Sequence, residues 1–166
     1  HTAYRRQRQM CIRDSAIGVS SFVVTLLRPR GLLMDPIPIA ILGYGNAART
    51  FHIPFVRSLP EQYELRVVLQ RSRNNSAGTA TQAAKDLPGV QVVSDMDGVL
   101  RALPERFGLI VITTDNVSHV SYAIQALNAN KHVLIEKPVA LHESDVDKLA
   151  ELARAKGVVC TAYQSK

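Results

Sequence analysis

The chain has 166 residues with 20 basic and 14 acidic side chains, a net charge of +6, and two Cys, at positions 11 and 160. The excess charge lies in residues 1–33, which hold six Arg and one Asp, so that residues 34–166 keep 14 basic and 13 acidic side chains. This near-neutral balance gives no ground for nucleic-acid binding by residues 34–166. The single Cys in this range argues against a disulfide scaffold and against a Cys-based metal site, and it favours a reduced, cytoplasmic protein.

Residues 1–33 precede the first predicted strand. Residues 5–15 (RRQRQMCIRDS) resemble translated sequencing-adaptor sequence, and Met34 stands where a native start would. The alternative is a genuine basic leader, because several Arg precede the apolar run of residues 16–27 as in a secretory signal. That run is shorter than the ~20 residues that span a bilayer. We expect a non-native or disordered leader over 1–33, one domain over 34–166, and no membrane association.

An apolar run, residues 39–42, ends in the turn GYGNAA. A buried strand, a glycine turn and a helix start are the three parts of a dinucleotide-binding βα turn. In such a turn Gly43 allows the tight bend, Gly45 lets the backbone approach a pyrophosphate, and Ala48 keeps the helix close to the sheet. The helix start offers free N–H groups and a partial positive charge to phosphates. We assign the whole turn to a cofactor site: Gly43, Tyr44, Gly45, Asn46, Ala47 and Ala48.

Helical and strand patterns alternate from this turn to the end of the chain. Five further strands are predicted, over residues 63–70, 90–93, 109–113, 132–135 and 158–161. Five helices are predicted, over residues 47–59, 79–87, 96–103, 117–128 and 141–156, and a polar loop covers 71–78. This succession predicts an α/β fold, a doubly wound parallel sheet of six strands (Rossmann) in the order 3-2-1-4-5-6.

Local signals mark the ends and faces of three helices. In the first helix we expect Phe51, Phe55 and Val56 to face inward and Pro54 to introduce a kink. The remaining signals are a cap on the third helix, from Asp95, and the end of the fifth helix, at Gly157.

In the predicted order the first and fourth strands are neighbours, and ligands bind in the crevice at their carboxyl ends. The fourth strand runs into Thr113-Thr114-Asp115-Asn116. Hydroxyl and amide groups here can hydrogen-bond a ribose or a pyrophosphate, and equally one of Thr114, Asp115 or Asn116 can cap the next helix. We assign Thr113, Thr114 and Asn116 to the site.

The end of the second strand indicates which dinucleotide is bound. NAD sites usually place an Asp or Glu here, about 20 residues beyond the glycine turn, to accept the ribose 2′-OH. The sequence has Gln70-Arg71-Ser72-Arg73 instead. A guanidinium and a hydroxyl suit a 2′-phosphate, although a solvated loop charge is the alternative. We therefore expect NADP rather than NAD, bound through Arg71 and Ser72.

The fifth strand is followed by Glu136-Lys137-Pro138, at the same edge as the other two loops. A Lys beside a nicotinamide can hydrogen-bond a substrate oxygen, stabilise a developing alkoxide or help proton transfer. A surface ion pair at a strand end is the alternative. We assign Glu136 and Lys137 to the site, with Lys137 as the catalytic residue.

Three segments, GYGNAARTFHIPF, TTDNVSH and KHVLIEKPVA, together resemble the glucose–fructose oxidoreductase / inositol dehydrogenase (Gfo/Idh/MocA) family. The resemblance covers residues 34–166 and implies an N-terminal NAD(P)-binding Rossmann domain, with a second, substrate-binding domain absent from this chain. It implies a loop and helix start beside the nicotinamide, formed by Thr114, Asn116 and His119. His52, in the His-x-Pro run of one branch of the family, is expected to be a packed histidine rather than a catalyst.

The resemblance also implies a function. The full-length protein would transfer hydride between NADP(H) and a carbonyl or secondary alcohol of a sugar, polyol or similar small molecule, and would be a homo-oligomer. The fragment alone would bind cofactor without turnover. The alternative is a non-catalytic NAD(P)-binding sensor, against which the retained Glu-Lys-Pro triplet argues. Asp115 departs from the family, which frequently has Pro at that place.

Overall fold

Six strands form one parallel sheet in the order β3-β2-β1-β4-β5-β6, which confirms the predicted topology. The structure is a computed structural model that describes residues 35–71, 81–105 and 107–164. The predicted leader, Ser72 and most of the predicted loop 71–78 lie outside these residues. The strands are β1 (Ile37–Leu42), β2 (Tyr63–Leu69), β3 (Gln91–Val93), β4 (Leu109–Ile112), β5 (His132–Ile135) and β6 (Cys160–Ala162).

Helices connect successive strands and cover the sheet. They are α1 (Ile53–Ser58), preceded directly by a π-helical turn (Ala48–His52), then α2 (Gln82–Asp86), α3 (Met96–Ala102), α4 (His119–Asn128) and α5 (Glu143–Lys156). α4, α5 and β6 each begin two residues later than predicted. Before α4 the delay has a local cause, since the Asp115 carboxylate accepts the backbone N–H of Ser118 at 3.0 Å and holds the chain in a turn.

The first helix differs from the prediction in its buried face. Phe51 and Phe55 are 50% and 55% exposed, so the expectation that they face inward is wrong, whereas Val56 is buried as expected. His52 takes the inward position because it finds a partly buried hydrogen-bond partner, Glu136, in another loop. The disturbance expected at Pro54 takes the form of the π-helical turn just before it, since Pro has no N–H to continue the regular ladder.

The central strands are apolar along their whole length because helices cover both faces of the sheet. Residues Ala40, Leu42, Ile110 and Ile112 are fully buried in β1 and β4. Both predicted helix signals are confirmed. The Asp95 carboxylate accepts the Gly98 N–H at 2.7 Å, and α5 ends at a left-handed glycine with φ of +65°. In the described part of the chain, every helix is too short or too polar to cross a membrane.

Candidate functional site

The sheet brings three loops to one edge. The last residues of β1, β4 and β5 are in register, so Gly43, Thr113 and Glu136 stand side by side just beyond them. Each of the three donates its backbone N–H to the last carbonyl of a neighbouring strand at 2.9 Å. The glycine turn, the loop after β4 and the Glu-Lys-Pro loop therefore all begin at the same level of the carboxyl edge, as the sequence predicts.

The two glycines of the turn have different surroundings. Gly43 has a φ of +100°, and a Cβ placed on it would stand 2.9 Å from the carbonyl oxygen of Thr113. A side chain is therefore excluded here by both the backbone conformation and the packing. A Cβ on Gly45 would meet no atom within 4 Å. Packing within the described residues does not require a glycine there, and the backbone of the turn lies open at this point.

Thr113 and Tyr44 fasten the turn on either side. The buried Thr113 hydroxyl donates to the carbonyl oxygen of Leu42 at 2.9 Å. The Tyr44 hydroxyl donates to the Asp86 carboxylate in α2 at 3.0 Å, and burial followed by this hydrogen bond raises the pKa of Tyr44 above its ordinary value. Both hydroxyl groups are thus used to fix the loop.

The rest of the turn leads into the helical segment. The Asn46 side-chain oxygen accepts the Thr50 hydroxyl at 3.1 Å, and Asn46 is exposed. Ala47 is half-buried and Ala48 is fully buried. Small side chains at these two positions let the helical segment approach the sheet.

The loop after β4 is organised by Ser118. Its hydroxyl donates to the Thr114 hydroxyl at 2.7 Å, and its backbone N–H donates to Asp115. Hydrogen bonds to Asp115 from the Ser118 side chain, and then from its backbone, hold the pKa of Asp115 below its ordinary value. Asp115 thus closes the turn before α4 but does not cap the helix, whose N-cap residue is Ser118, and Asn116 is exposed beside it.

An ion pair crosses the edge above the glycine turn. The Arg71 guanidinium, just beyond β2, lies 3.2 Å from the Asp115 carboxylate, beyond β4. β1 lies between these two strands in the sheet, so the pair reaches across the turn that follows β1. The two side chains are 58% and 59% exposed, and such a pair contributes little to stability. Ser72, predicted to act with Arg71, is outside the described residues.

The His119 side chain connects two of the three loops through hydrogen-bonding contacts. It is 1% exposed, with Nδ1 at 2.9 Å from the carbonyl oxygen of Pro138 and Nε2 at 3.1 Å from that of Thr114. Both ring nitrogens are therefore engaged by the protein backbone. This predicted site residue supports the loop after β4 and the Glu-Lys-Pro loop rather than offering a free nitrogen.

The Glu136 carboxylate is held on both of its oxygens. Oε1 lies 2.8 Å from His52 Nε2, and Oε2 accepts the backbone N–H of Lys137 at 3.1 Å. The side chains of His52 and Glu136 are 6% and 12% exposed. The Tyr163 ring packs against His52 edge to face, with centroids 4.7 Å apart. Lys137 itself is exposed at the edge.

Two of these relationships were not predicted from the sequence. His52 is a packed histidine, as the sequence predicts, but the sequence does not predict its bond to Glu136. The pairing of Arg71 with Asp115 was not foreseen either. The sequence signal for both pairs is position. Arg71, Asp115 and Glu136 each follow a strand of the predicted sheet at its carboxyl edge, and His52 belongs to the helix after the glycine turn.

The opposite, amino-terminal edge carries a cavity of about 660 Å³ near Leu103, Lys131 and Val158. It contains none of the predicted site residues. Within residues 35–71, 81–105 and 107–164, no group of three or more His, Cys, Asp or Glu side chains is arranged to hold a metal ion.

Known proteins with similar sequences are oxidoreductases. One from Schizosaccharomyces pombe is 35% identical over 133 residues, which are 80% of this chain and 35% of that protein. The scyllo-inositol 2-dehydrogenase (NADP(+)) of Bacillus subtilis is 26% identical over 144 residues, 87% of this chain and 37% of that protein. The chain thus spans about a third of the length of the curated relatives it matches.

Solved structures show the same fold. An oxidoreductase from Bacteroides fragilis superposes with a TM-score of 0.67 at 26% identity, over 79% of this chain and 38% of the other. Biliverdin reductase from Synechocystis, solved with biliverdin and NADP+, gives 0.64 at 29% identity over 76% and 37%. GenD2 of gentamicin A biosynthesis, solved with NAD, gives 0.65 at 27% identity over 81% and 36%.

The profile of a protein family covers nearly all of the described fold. Residues 37–164 match an oxidoreductase family whose members have an NAD-binding Rossmann fold. This match spans the strands, the glycine turn and both other loops of the edge. The chain belongs to this family, that of glucose–fructose oxidoreductase and inositol dehydrogenase (Gfo/Idh/MocA).

Proposed function

We propose that this chain is the cofactor-binding part of an NADP-dependent oxidoreductase that transfers hydride between NADP(H) and a carbonyl or secondary alcohol of a sugar, polyol or similar small molecule. One observation carries the proposal. An open glycine turn and a loop with an exposed lysine, Lys137, begin at the same level of the carboxyl edge of a doubly wound sheet. This edge is where such folds bind dinucleotides.

The glycine turn fits a pyrophosphate. The space in front of Gly45 is empty to 4 Å, so a phosphate can approach the backbone there, where a side chain would fill the cradle. The tight bend at Gly43 and the burial of Ala48 hold the turn and the following helical segment in place. Backbone N–H groups at such a turn bind phosphate oxygens without any charged side chain.

The residues after β2 favour NADP over NAD. The side-chain oxygen of Gln70 already has a partner within the protein, because it accepts the Ala83 N–H at 2.8 Å. Arg71 follows with a half-exposed guanidinium, whose planar donors match a phosphate. Among the similar proteins, one is named for NADP(+) and one was solved with NAD, so the preference here depends on Arg71 rather than on the family.

Lys137 is proposed as the catalytic residue. NADP(H), when bound, supplies or accepts the hydride. An ammonium at the end of β5 can donate a hydrogen bond to the substrate oxygen and stabilise the alkoxide that develops as the hydride moves. The same group can pass a proton to that oxygen or take one from it. Glu136, fixed by two hydrogen bonds, holds the backbone from which Lys137 extends.

A fluorescence titration of NADPH and of NADH into the protein tests the cofactor assignment. We expect NADPH to bind more tightly and Arg71→Ala to weaken NADPH by about tenfold or more, as for one or two lost charged hydrogen bonds, with little effect on NADH. Arg66→Ala is the matched control, because Arg66 lies on β2 itself and pairs with Glu64. Tighter binding of NADH would contradict the choice of NADP.

The catalytic assignment needs the whole protein. Lys137→Met should reduce kcat by a hundredfold or more while NADPH affinity changes little, because the lost interaction is made to the reacting oxygen. A wild-type protein that binds NADPH but reduces or oxidises no candidate polyol, sugar or keto substrate would favour the alternative of a non-catalytic sensor.

A further inference from the structure

We propose that His52 is a positioning residue for the hydride-transfer site: its ring fixes the Glu136 carboxylate and, through it, the peptide that carries Lys137. The inference rests on the proposed function, because it concerns the lysine assigned to catalysis there. Its effect on Lys137 would pass through Glu136.

The hydrogen bonds leave the carboxylate little freedom. Oε1 lies 2.8 Å from His52 Nε2 and Oε2 accepts the Lys137 backbone N–H at 3.1 Å. A carboxylate that is 12% exposed needs such partners, because a buried carboxylate without hydrogen bonds is strongly unfavourable. Through these two hydrogen bonds, the Glu136 carboxylate links the first helical segment to the loop after β5; we call this link the bracket.

The local fold brings His52 to this place. The π-helical turn Ala48–His52 closes with the Ile53 N–H on the carbonyl oxygen of Ala48, and His52 is the last residue of that widened turn. π-helical turns are rare in proteins as a whole, and those that occur are often found at functional sites. The same turn places Phe51 at the surface.

A third element holds the ring from the other side. The Tyr163 ring contacts His52 edge to face, 4.7 Å between centroids at 64°. Tyr163 follows β6, and its N–H bonds to the carbonyl oxygen of Ile135 at 2.8 Å, the last residue of β5. The imidazole is thus clamped between the Glu136 carboxylate and the end of the neighbouring strand, so its orientation is set before any ligand binds.

Removal of the imidazole has a specific expected consequence. With only the Lys137 N–H left as a partner among the described residues, the Glu136 carboxylate would be able to turn toward the ammonium of its sequence neighbour Lys137. That contact would occupy the group proposed to meet the substrate oxygen. His52 would therefore keep the carboxylate turned toward the first helical segment, so that it does not pair with the Lys137 ammonium.

Two substitutions separate positioning from folding. His52→Gln places an amide N–H near the position of Nε2 and can still donate to Glu136, whereas His52→Leu has similar bulk and no donor. In the whole protein we expect His52→Leu to lower kcat at least tenfold with NADPH affinity within about threefold of wild type. His52→Gln should recover most of the lost kcat. Tyr163→Phe, which keeps the ring, is the control for packing.

A second measurement needs no turnover. In 1H–15N spectra of the protein without cofactor, the Lys137 amide signal should move in His52→Leu and return toward its wild-type position in His52→Gln. Equal kcat and an unmoved amide in a folded His52→Leu variant would overturn the inference, as would a loss that His52→Gln does not recover. If wild type itself failed to bind NADPH or to turn over, the proposed function would fail instead, and the amide shift would still report on the bracket.

Discussion

The Arg71 guanidinium and the Asp115 carboxylate lie 3.2 Å apart, Nη2 to Oδ2, and join the end of β2 to the loop after β4. The pair crosses the position where β1 runs into its glycine turn. The residue proposed to bind the 2′-phosphate of NADP is therefore already paired with an anion. A 2′-phosphate would have to displace the carboxylate or bind the remaining guanidinium donors beside it, where the two anions repel each other.

Asp115→Asn should consequently strengthen NADPH binding. The amide keeps the oxygen that accepts the Ser118 N–H, so the turn before α4 is preserved while the competing charge is removed. An exposed ion pair is worth about 0.2–1 kcal/mol, which corresponds to roughly a 1.5- to 5-fold change in Kd. The measurement is the NADPH titration at low salt. Asp97→Asn, on α3, controls for net charge, and weaker binding would mean that Asp115 itself contacts the ligand.

The two glycines of the turn should respond differently to alanine. Gly43→Ala places a Cβ 2.9 Å from the Thr113 carbonyl oxygen at a φ of +100°, so we expect a loss of about 1–3 kcal/mol of stability. Gly45→Ala meets empty space and should leave the melting temperature almost unchanged. It should nevertheless weaken NADPH binding, because the methyl group occupies the phosphate cradle. Thermal denaturation without ligand, followed by titration, measures both effects, and unimpaired binding by Gly45→Ala would argue against the cradle.

Lys131 stabilises the opposite edge of the sheet. Its buried ammonium donates to the carbonyl oxygens of Pro104 and of Glu105, the latter at 2.8 Å, and burial lowers its pKa below the ordinary value. Lys131→Met removes both donors and should cost about 1–3 kcal/mol in a urea denaturation. Lys85→Met, on the surface of α2, is the control. NADPH affinity should be unaffected, because the change lies at the amino-terminal edge.

His132 should make stability depend on pH. Its Nδ1 accepts the Val159 N–H at 3.1 Å, which requires an unprotonated nitrogen, and burial lowers the pKa below the ordinary 6.5. The unfolded chain therefore takes up this proton first as the pH falls. The corresponding stability is present above pH 6.5 and is lost as the pH drops toward the folded-state pKa.

Comparison of two histidine variants isolates this contribution. His132→Asn presents an oxygen near the Nδ1 position and does not titrate, so denaturation midpoints measured between pH 5 and 8 should fall less on acidification than in wild type. His142→Asn, at an exposed position before α5, is the matched control substitution. Identical slopes in wild type and His132→Asn would assign the pH dependence to other groups.

The architecture was predictable because its signals are local. Apolar runs such as residues 109–112 are bounded by turns, and Asp95 and Gly157 mark a helix start and a helix end. These features fix the alternation of strands and helices, and the glycine turn identifies the edge. The order of the strands then follows from the doubly wound topology to which this alternation and glycine turn belong.

The side-chain partners were not predictable in the same way, because they join distant parts of the chain. His52 and Glu136 are 84 positions apart, and hydrophobicity alone placed Phe51 inward in its stead. Arg71 and Asp115 are 44 positions apart. Which polar group becomes buried depends on whether the fold brings it a partner, and that is a property of the assembled edge rather than of either segment.

The central claim is that the carboxyl edge binds NADP(H), and a 1H–15N titration with NADPH tests it most directly. We expect shifts to concentrate at residues 43–48, 113–116 and 136–137, the three loops of that edge. Shifts confined to the opposite edge, around Leu103, Lys131 and Val158, would contradict the claim, and so would an unchanged spectrum from a folded protein.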